Sequence, residues 1–123
     1  MKAYTDIEQS RKLAEFLPIE SADMTWVEGE WGAPIVGKII KSPDEDYTFI
    51  PCWSLATLLD VLPISINDGR HCLALISSNP SGEIEWLCCY EDDNGNLLMG
   101  FYTDNPIDSC VEMIYELKER NLL

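Results

Sequence analysis

Basic residues are scarce: eight Lys and Arg and a single His stand against 22 Asp and Glu, a net charge of −14 over 123 residues. That scarcity disfavours polyphosphate and anionic bilayer surfaces as partners, and favours basic ones. Direct nucleic-acid binding and membrane association are therefore not expected. The skew is not a tail. Residues 1–62 carry net −6 and residues 63–123 net −8, and the longest acidic runs are the triplets Asp44-Glu45-Asp46 and Glu91-Asp92-Asp93.

Long apolar runs are also missing. Purely apolar stretches reach only five residues, as in Trp86-Leu87-Cys88-Cys89-Tyr90, far short of a membrane span. Neither an apolar secretory signal near Met1 nor a lipidation box at either end is visible. The five cysteines are odd in number and form no CxxC. Reduced, mostly buried thiols and a cytoplasmic location are the expectation.

Complete catalytic motifs are lacking as well. Gly32-Ala33-Pro34-Ile35-Val36-Gly37-Lys38-Ile39 has the outline of a phosphate-binding loop, but Ile39 stands where a hydroxyl must hold magnesium. Pro43 then leaves too little room for the helix such a loop needs. Asp92-Asp93-Asn94-Gly95 invites a calcium loop, yet aligning Gly95 with its sixth position puts Tyr90 first and Phe101 twelfth. Neither can supply a carboxylate. The single histidine and the unpaired cysteine spacing argue against zinc, and no metal or cofactor is expected. One pair has nucleophilic chemistry in principle. Cys52 precedes a short helix, and His71 is the one available imidazole base.

What is present is core material. At 46 % hydrophobic and 10 % aromatic residues, the chain is too apolar for a disordered segment, and its length suits a single domain, 1–123. Thr5-Asp6-Ile7-Glu8 has capping-box spacing and predicts a helix reaching Leu17 before Pro18. Met24–Val27, Ile35–Ile40 and Tyr47–Ile50 read as strands, followed by a short helix from Leu55 to Leu62 capped by Ser54. Cys72–Ser77, Ile84–Tyr90 and Leu97–Thr103 are strand-length runs separated by turn residues, and such short links force an antiparallel meander. In the middle run Ile84, Trp86, Cys88 and Tyr90 share one face, the better core candidate. Glu83, Glu85, Leu87 and Cys89 share the other.

Asn105 as N-cap, Pro106 behind it and Asp108 third predict a final helix with Ile107, Cys110, Val111, Ile114 and Leu117 on its apolar side. The expected fold is α+β: an antiparallel sheet of about five to six strands, with two to three helices packed largely on one face.

Five residues stand out as a partner-binding set. Asp108, Glu112, Glu116 and Glu119 are spaced four, four and three along the last helix, which lines them on one face about 6 Å apart. Glu116 and Arg120 have the spacing of an ordinary helical ion pair. Trp31, in the turn-like Glu28-Gly29-Glu30-Trp31-Gly32, is a candidate aromatic anchor. The expected function is a non-enzymatic acidic module, of accessory, inhibitor or immunity type, that engages a basic protein. The alternatives are a cysteine-dependent hydrolase or transferase using Cys52 and His71, and a structural subunit of a larger assembly.

Ile50-Pro51-Cys52-Trp53-Ser54-Leu55-Ala56-Thr57-Leu58-Leu59-Asp60-Val61-Leu62-Pro63, Asp104-Asn105-Pro106-Ile107-Asp108-Ser109-Cys110-Val111-Glu112-Met113-Ile114, and the helix ending Leu13-Ala14-Glu15-Phe16-Leu17-Pro18 together resemble a group of small uncharacterised proteins of gut bacteria and their phages or mobile elements. The resemblance implies a cytoplasmic accessory protein acting on other proteins. It implies no activity, cofactor or catalytic residue.

Overall fold

Thr5 is a poor helix cap here because its hydroxyl is needed in the interior. In the computed structural model, which describes residues 2–27, 32–36, 49–79 and 82–123, Asp6 caps α1 (Ile7–Ala14) instead. Its carboxylate accepts from the Gln9 N–H at 2.7 Å, and the Gln9 side chain accepts from the Asp6 N–H at 3.1 Å. This is a reciprocal capping box, one residue later than the Thr5-based spacing implied. Thr5 itself is fully buried; its hydroxyl accepts from the Trp53 N–H at 3.1 Å and bonds Ser10 at 2.8 Å. The helix stops at Ala14 rather than Leu17, because the Phe16 and Leu17 N–H groups both turn back to the Leu13 carbonyl.

The chain divides into two compact units, Ala3–Thr57 and Met1–Lys2 with Leu58–Leu123. In the first, β1 (Met24–Val27) lies between β2 (Ile35–Val36) and β3 (Phe49–Cys52) in an antiparallel three-stranded sheet. Pro51 is tolerated because β3 lies at the sheet edge in the β2-β1-β3 order. Trp26, Ile50 and Cys52 are buried together with Tyr4, Ile7 and Met24 around them, and the Tyr4 and Trp26 rings meet edge to face at 5.6 Å. Helix α1 packs on β3. Helix α2 (Leu55–Val61) then carries the chain from this unit into the other.

The second unit contains an antiparallel sheet of four strands, in the order β4 (Ser65–Ile66), β5 (His71–Ser78), β6 (Glu85–Glu91) and β7 (Leu97–Thr103). The β4–β5 link turns through Asn67, Asp68 and Gly69, all at positive φ, a conformation those residue types tolerate best. The β6–β7 turn is closed by the Asp92 carboxylate, which accepts from the Asn94 and Asn96 N–H groups at 2.9 Å each.

Helix α3 (Pro106–Glu119) packs against β6 and β7. Asn105 caps it by accepting from the Asp108 N–H at 2.8 Å, as its sequence predicts. Ile107, Cys110, Val111, Met113, Ile114 and Leu117 are all fully buried. At the far end Asn121 takes a positive φ, and the Leu122 N–H returns to the Leu117 carbonyl at 2.8 Å, a left-handed helix stop.

The α+β class is as expected, but the sheet is not. Among the described residues seven strands form two separate sheets, where one sheet of five to six strands is the sequence reading. After β3 the chain enters α2, and the strands on either side of that helix pair only among themselves. On β6 the expected core face is the one that meets α3, through Cys88 and Cys110, with two differences. Cys88 and Tyr90 are buried, but so are Leu87 and Cys89 on the opposite face, whereas Ile84 lies outside the strand and is 62 % exposed. Leu87 and Cys89 are flanked on their own face by Ile76, Ala74, Tyr102 and Gly100 across the strands, and Leu87 lies against Gly100. Of the remaining strand and turn expectations, residues 37–40, 47–48 and 80–81 lie outside the described residues.

Candidate functional site

The acidic row of α3 follows from helix geometry, and its burial pattern places it on the side away from the core. Glu112 and Glu119 are exposed, and Asp108 and Glu116 are half-buried. Two of the four carboxylates are engaged within the protein. Asp108 pairs with Lys2 at 2.8 Å and accepts from the Asn105 amide at 2.7 Å. Glu116 pairs with Arg120 at 2.8 Å, the i,i+4 contact visible in the sequence. The row therefore offers a partner two uncompensated carboxylates rather than four. Trp31 lies outside the described residues.

The two residues with nucleophilic chemistry have separate surroundings. Cys52 is fully buried in the first unit, its thiol donating to the Thr5 carbonyl at 3.4 Å. Burial pushes this thiol up, outweighing hydrogen bonds with Thr5 and Ser10, and the nearby Asp23 charge adds to the rise. His71 belongs to the second unit, where its Nδ1 lies 3.1 Å from the Asn67 amide. Of the other interior thiols, Cys110 is held down by its hydrogen bond with Cys88 but is fully buried. Cys88 is held up by its hydrogen bond with Cys110 and by burial, and Cys89 by burial and the Glu91 charge. Only Cys72 is exposed.

A cluster of one carboxylate and two hydroxyls at the start of α2 looks chemical but is a helix anchor. Asp23 accepts from the Ser54 hydroxyl at 2.6 Å, the Ser54 N–H at 3.0 Å and the Thr57 hydroxyl at 3.2 Å. Burial alone would raise this carboxyl, but these bonds outweigh it and hold it below its ordinary value of 3.8. A depressed carboxyl stabilises the fold above its unfolded pKa, and that contribution is lost as pH falls through the folded value. The expected result is that Asp23→Asn flattens the stability profile below about pH 4 and leaves its neutral limb parallel to the parent's. Urea midpoints across pH measure this, and an unchanged acid limb would contradict it.

The open face of the four-stranded sheet is the feature that sequence reading missed. Leu87 has Ile76 and Tyr102 as cross-strand partners, and Cys89 has Ala74 and Gly100. Directly opposed residues share a face. Ile76 is 41 % exposed and Tyr102 60 %, and Leu97, whose Cδ1 lies 3.6 Å from where a Gly100 Cβ would sit, is 47 % exposed. The helix-facing side is the other one, where the thiol of Cys88 on β6 meets that of Cys110 on α3. Between His71 and Asn105 the chain has no Lys or Arg and six carboxylates. The alternation that builds this face is present in Cys72-Ala74-Ile76 and Gly100-Tyr102, but it emerges only once the register is known.

A cleft of about 280 Å³ lined by Ser77, Ser78, Asn79 and Ile84 offers no ionisable side chain among these residues. Among the described residues no group of three or more His, Cys, Asp and Glu is placed to hold a metal ion, and no helix is long and apolar enough to cross a membrane. Comparison with protein-family models, curated proteins and solved structures finds no match.

Proposed function

We propose that this chain is a non-enzymatic acidic protein-binding module, of accessory, inhibitor or immunity type, that engages a basic partner. One observation carries the reading: acid exceeds base in both halves of the chain, and the whole β5–β7 meander carries no Lys or Arg at all. Such a surface speeds encounter with a basic partner and rejects acidic ones. The burial of Cys52, with its thiol pushed up, weighs against the cysteine-dependent alternative. The exposed apolar residues of the sheet favour the second reading, a structural subunit, for which salt would leave the contact intact.

The α3 row is the part of this reading with a direct test. Glu112→Lys with Glu116→Lys reverses two of its four charges while sparing Asp108, whose carboxylate holds Lys2 and accepts from the cap residue Asn105. Each change costs about 0.5 kcal/mol or less in stability, including the surface pair with Arg120. Capture of basic proteins from the native host's lysate falls if α3 is part of the interface. Unchanged capture by a folded double variant removes this helix from the site.

A further inference from the structure

Strand β6 presents Glu85, Leu87, Cys89 and Glu91 to one side, by strict alternation. Its apolar centre is widened by Ile76 and Tyr102 across the strands, and the Leu87 and Leu97 methyls close over Gly100, 3.0 and 3.6 Å from where a Cβ would sit. Glu85 and Glu91, six residues or about 20 Å apart on a strand, thus bracket an apolar strip whose exposed members are Ile76, Leu97 and Tyr102 around a buried Leu87 and Cys89. Resting on the reading above, we infer that this sheet face is the docking surface, and that its occupant is a basic polypeptide segment. The segment lays apolar side chains over Ile76, Leu87 and Tyr102 and sets a Lys or Arg at each end against Glu85 and Glu91.

Charge selects this occupant over the others. A second copy would bring Glu85 and Glu91 against their own counterparts with no Lys or Arg in the strands of either sheet, and like charges face to face are costly. An anionic membrane meets the same repulsion. A neutral apolar segment would cover the patch but leave Glu85 and Glu91 at its rim uncompensated. A basic, apolar-centred segment answers both features.

Cys72 makes the face readable in the intact chain. It is the cross-strand partner of Glu91 and so shares this face, and it is exposed where the other four cysteines are buried. Iodoacetamide, being uncharged, is expected to modify Cys72 alone in the native protein. The probe is a synthetic peptide of about seven residues, the extended length that spans the two carboxylates, with lysine at both ends and leucine alternating with serine between. A second peptide replaces leucine by serine, and a third replaces lysine by glutamate.

The first peptide slows Cys72 alkylation roughly tenfold when about nine-tenths of the chain is occupied, and the other two protect far less. Ile76→Ser with Tyr102→Ser, both exposed and both charge-neutral, abolishes the protection while circular dichroism shows an unchanged fold. Glu85→Lys with Glu91→Lys abolishes it too, without touching an apolar side chain. Binding of the first peptide with Cys72 still reactive places the site elsewhere and overturns this inference while the acidic-module reading stands. Failure of both lysine peptides to bind at low salt overturns the two together. Protection that rises with chain concentration and needs no peptide makes the occupant a second copy, and overturns the inference as well.

Discussion

Trp53→Ala is expected to destabilise the protein by about 3–5 kcal/mol, roughly a fifth or more of the total stability typical of a small domain. Trp53 is fully buried, and three polar contacts fix it in place. Its indole N–H donates to the Ser21 hydroxyl at 2.9 Å, its backbone N–H to the Thr5 hydroxyl at 3.1 Å, and its carbonyl accepts from the Thr5 N–H at 3.0 Å. Truncation empties the largest fully buried side-chain volume of the first unit and leaves the Ser21 hydroxyl oxygen without the indole donor it accepts from. Urea denaturation gives the loss as a shifted midpoint. Trp53→Phe keeps most of the packed volume and is expected to fall between the parent and the alanine variant. A cost under about 1 kcal/mol for Trp53→Ala would mean that this side chain is not packed as described.

The second large effect lies in α3. Ile114→Ala is expected to cost about 2–5 kcal/mol, and Glu112→Ala, two positions earlier on the same helix, no more than about 0.5 kcal/mol. Ile114 is fully buried and Glu112 is exposed, so the contrast measures the orientation of the helix rather than its mere existence. Thermal or urea unfolding of the two variants side by side reads it. Equal losses would mean that α3 does not present the acidic row to solvent, and the row would drop out of any binding site.

That helix was the most legible part of the chain because local signals agree with one another. Asn105, Pro106 and Asp108 mark its start, and five apolar positions keep helical spacing behind them. Elsewhere a distant residue decides the outcome. Thr5 has the right spacing to cap α1, but it is drawn inward by Trp53 and Ser10, and Asp6 takes its place with Gln9 as the reciprocal partner. Strand β4 is two residues long, too short for any alternation, although Asn67-Asp68-Gly69 behind it is a turn signal in plain view. The split into two sheets depends on which strands pair, and periodicity within a strand is silent about its neighbours.

The candidate site divides the same way. The α3 row and the Glu116–Arg120 pair follow from helical spacing, whereas the pairing of Asp108 with Lys2 spans nearly the whole chain and reduces the row to two free carboxylates. The apolar sheet face required the register of three strands before Ile76, Leu87 and Tyr102 could be placed together. Cys52 is the opposite case. Its apolar neighbours in Phe49-Ile50-Pro51-Cys52-Trp53 already implied a desolvated thiol, and the structure shows one.

The central claim is that charge draws a basic partner to this chain, and ionic strength tests it most directly. Proteins captured from the native host's lysate on the immobilised chain at about 0.1 M salt are titrated to about 1 M, where screening shortens from roughly 10 Å to 3 Å. The account predicts that the captured proteins are basic and that they elute steeply across this range. Capture of no basic protein at low salt, or retention unchanged at high salt, would contradict it.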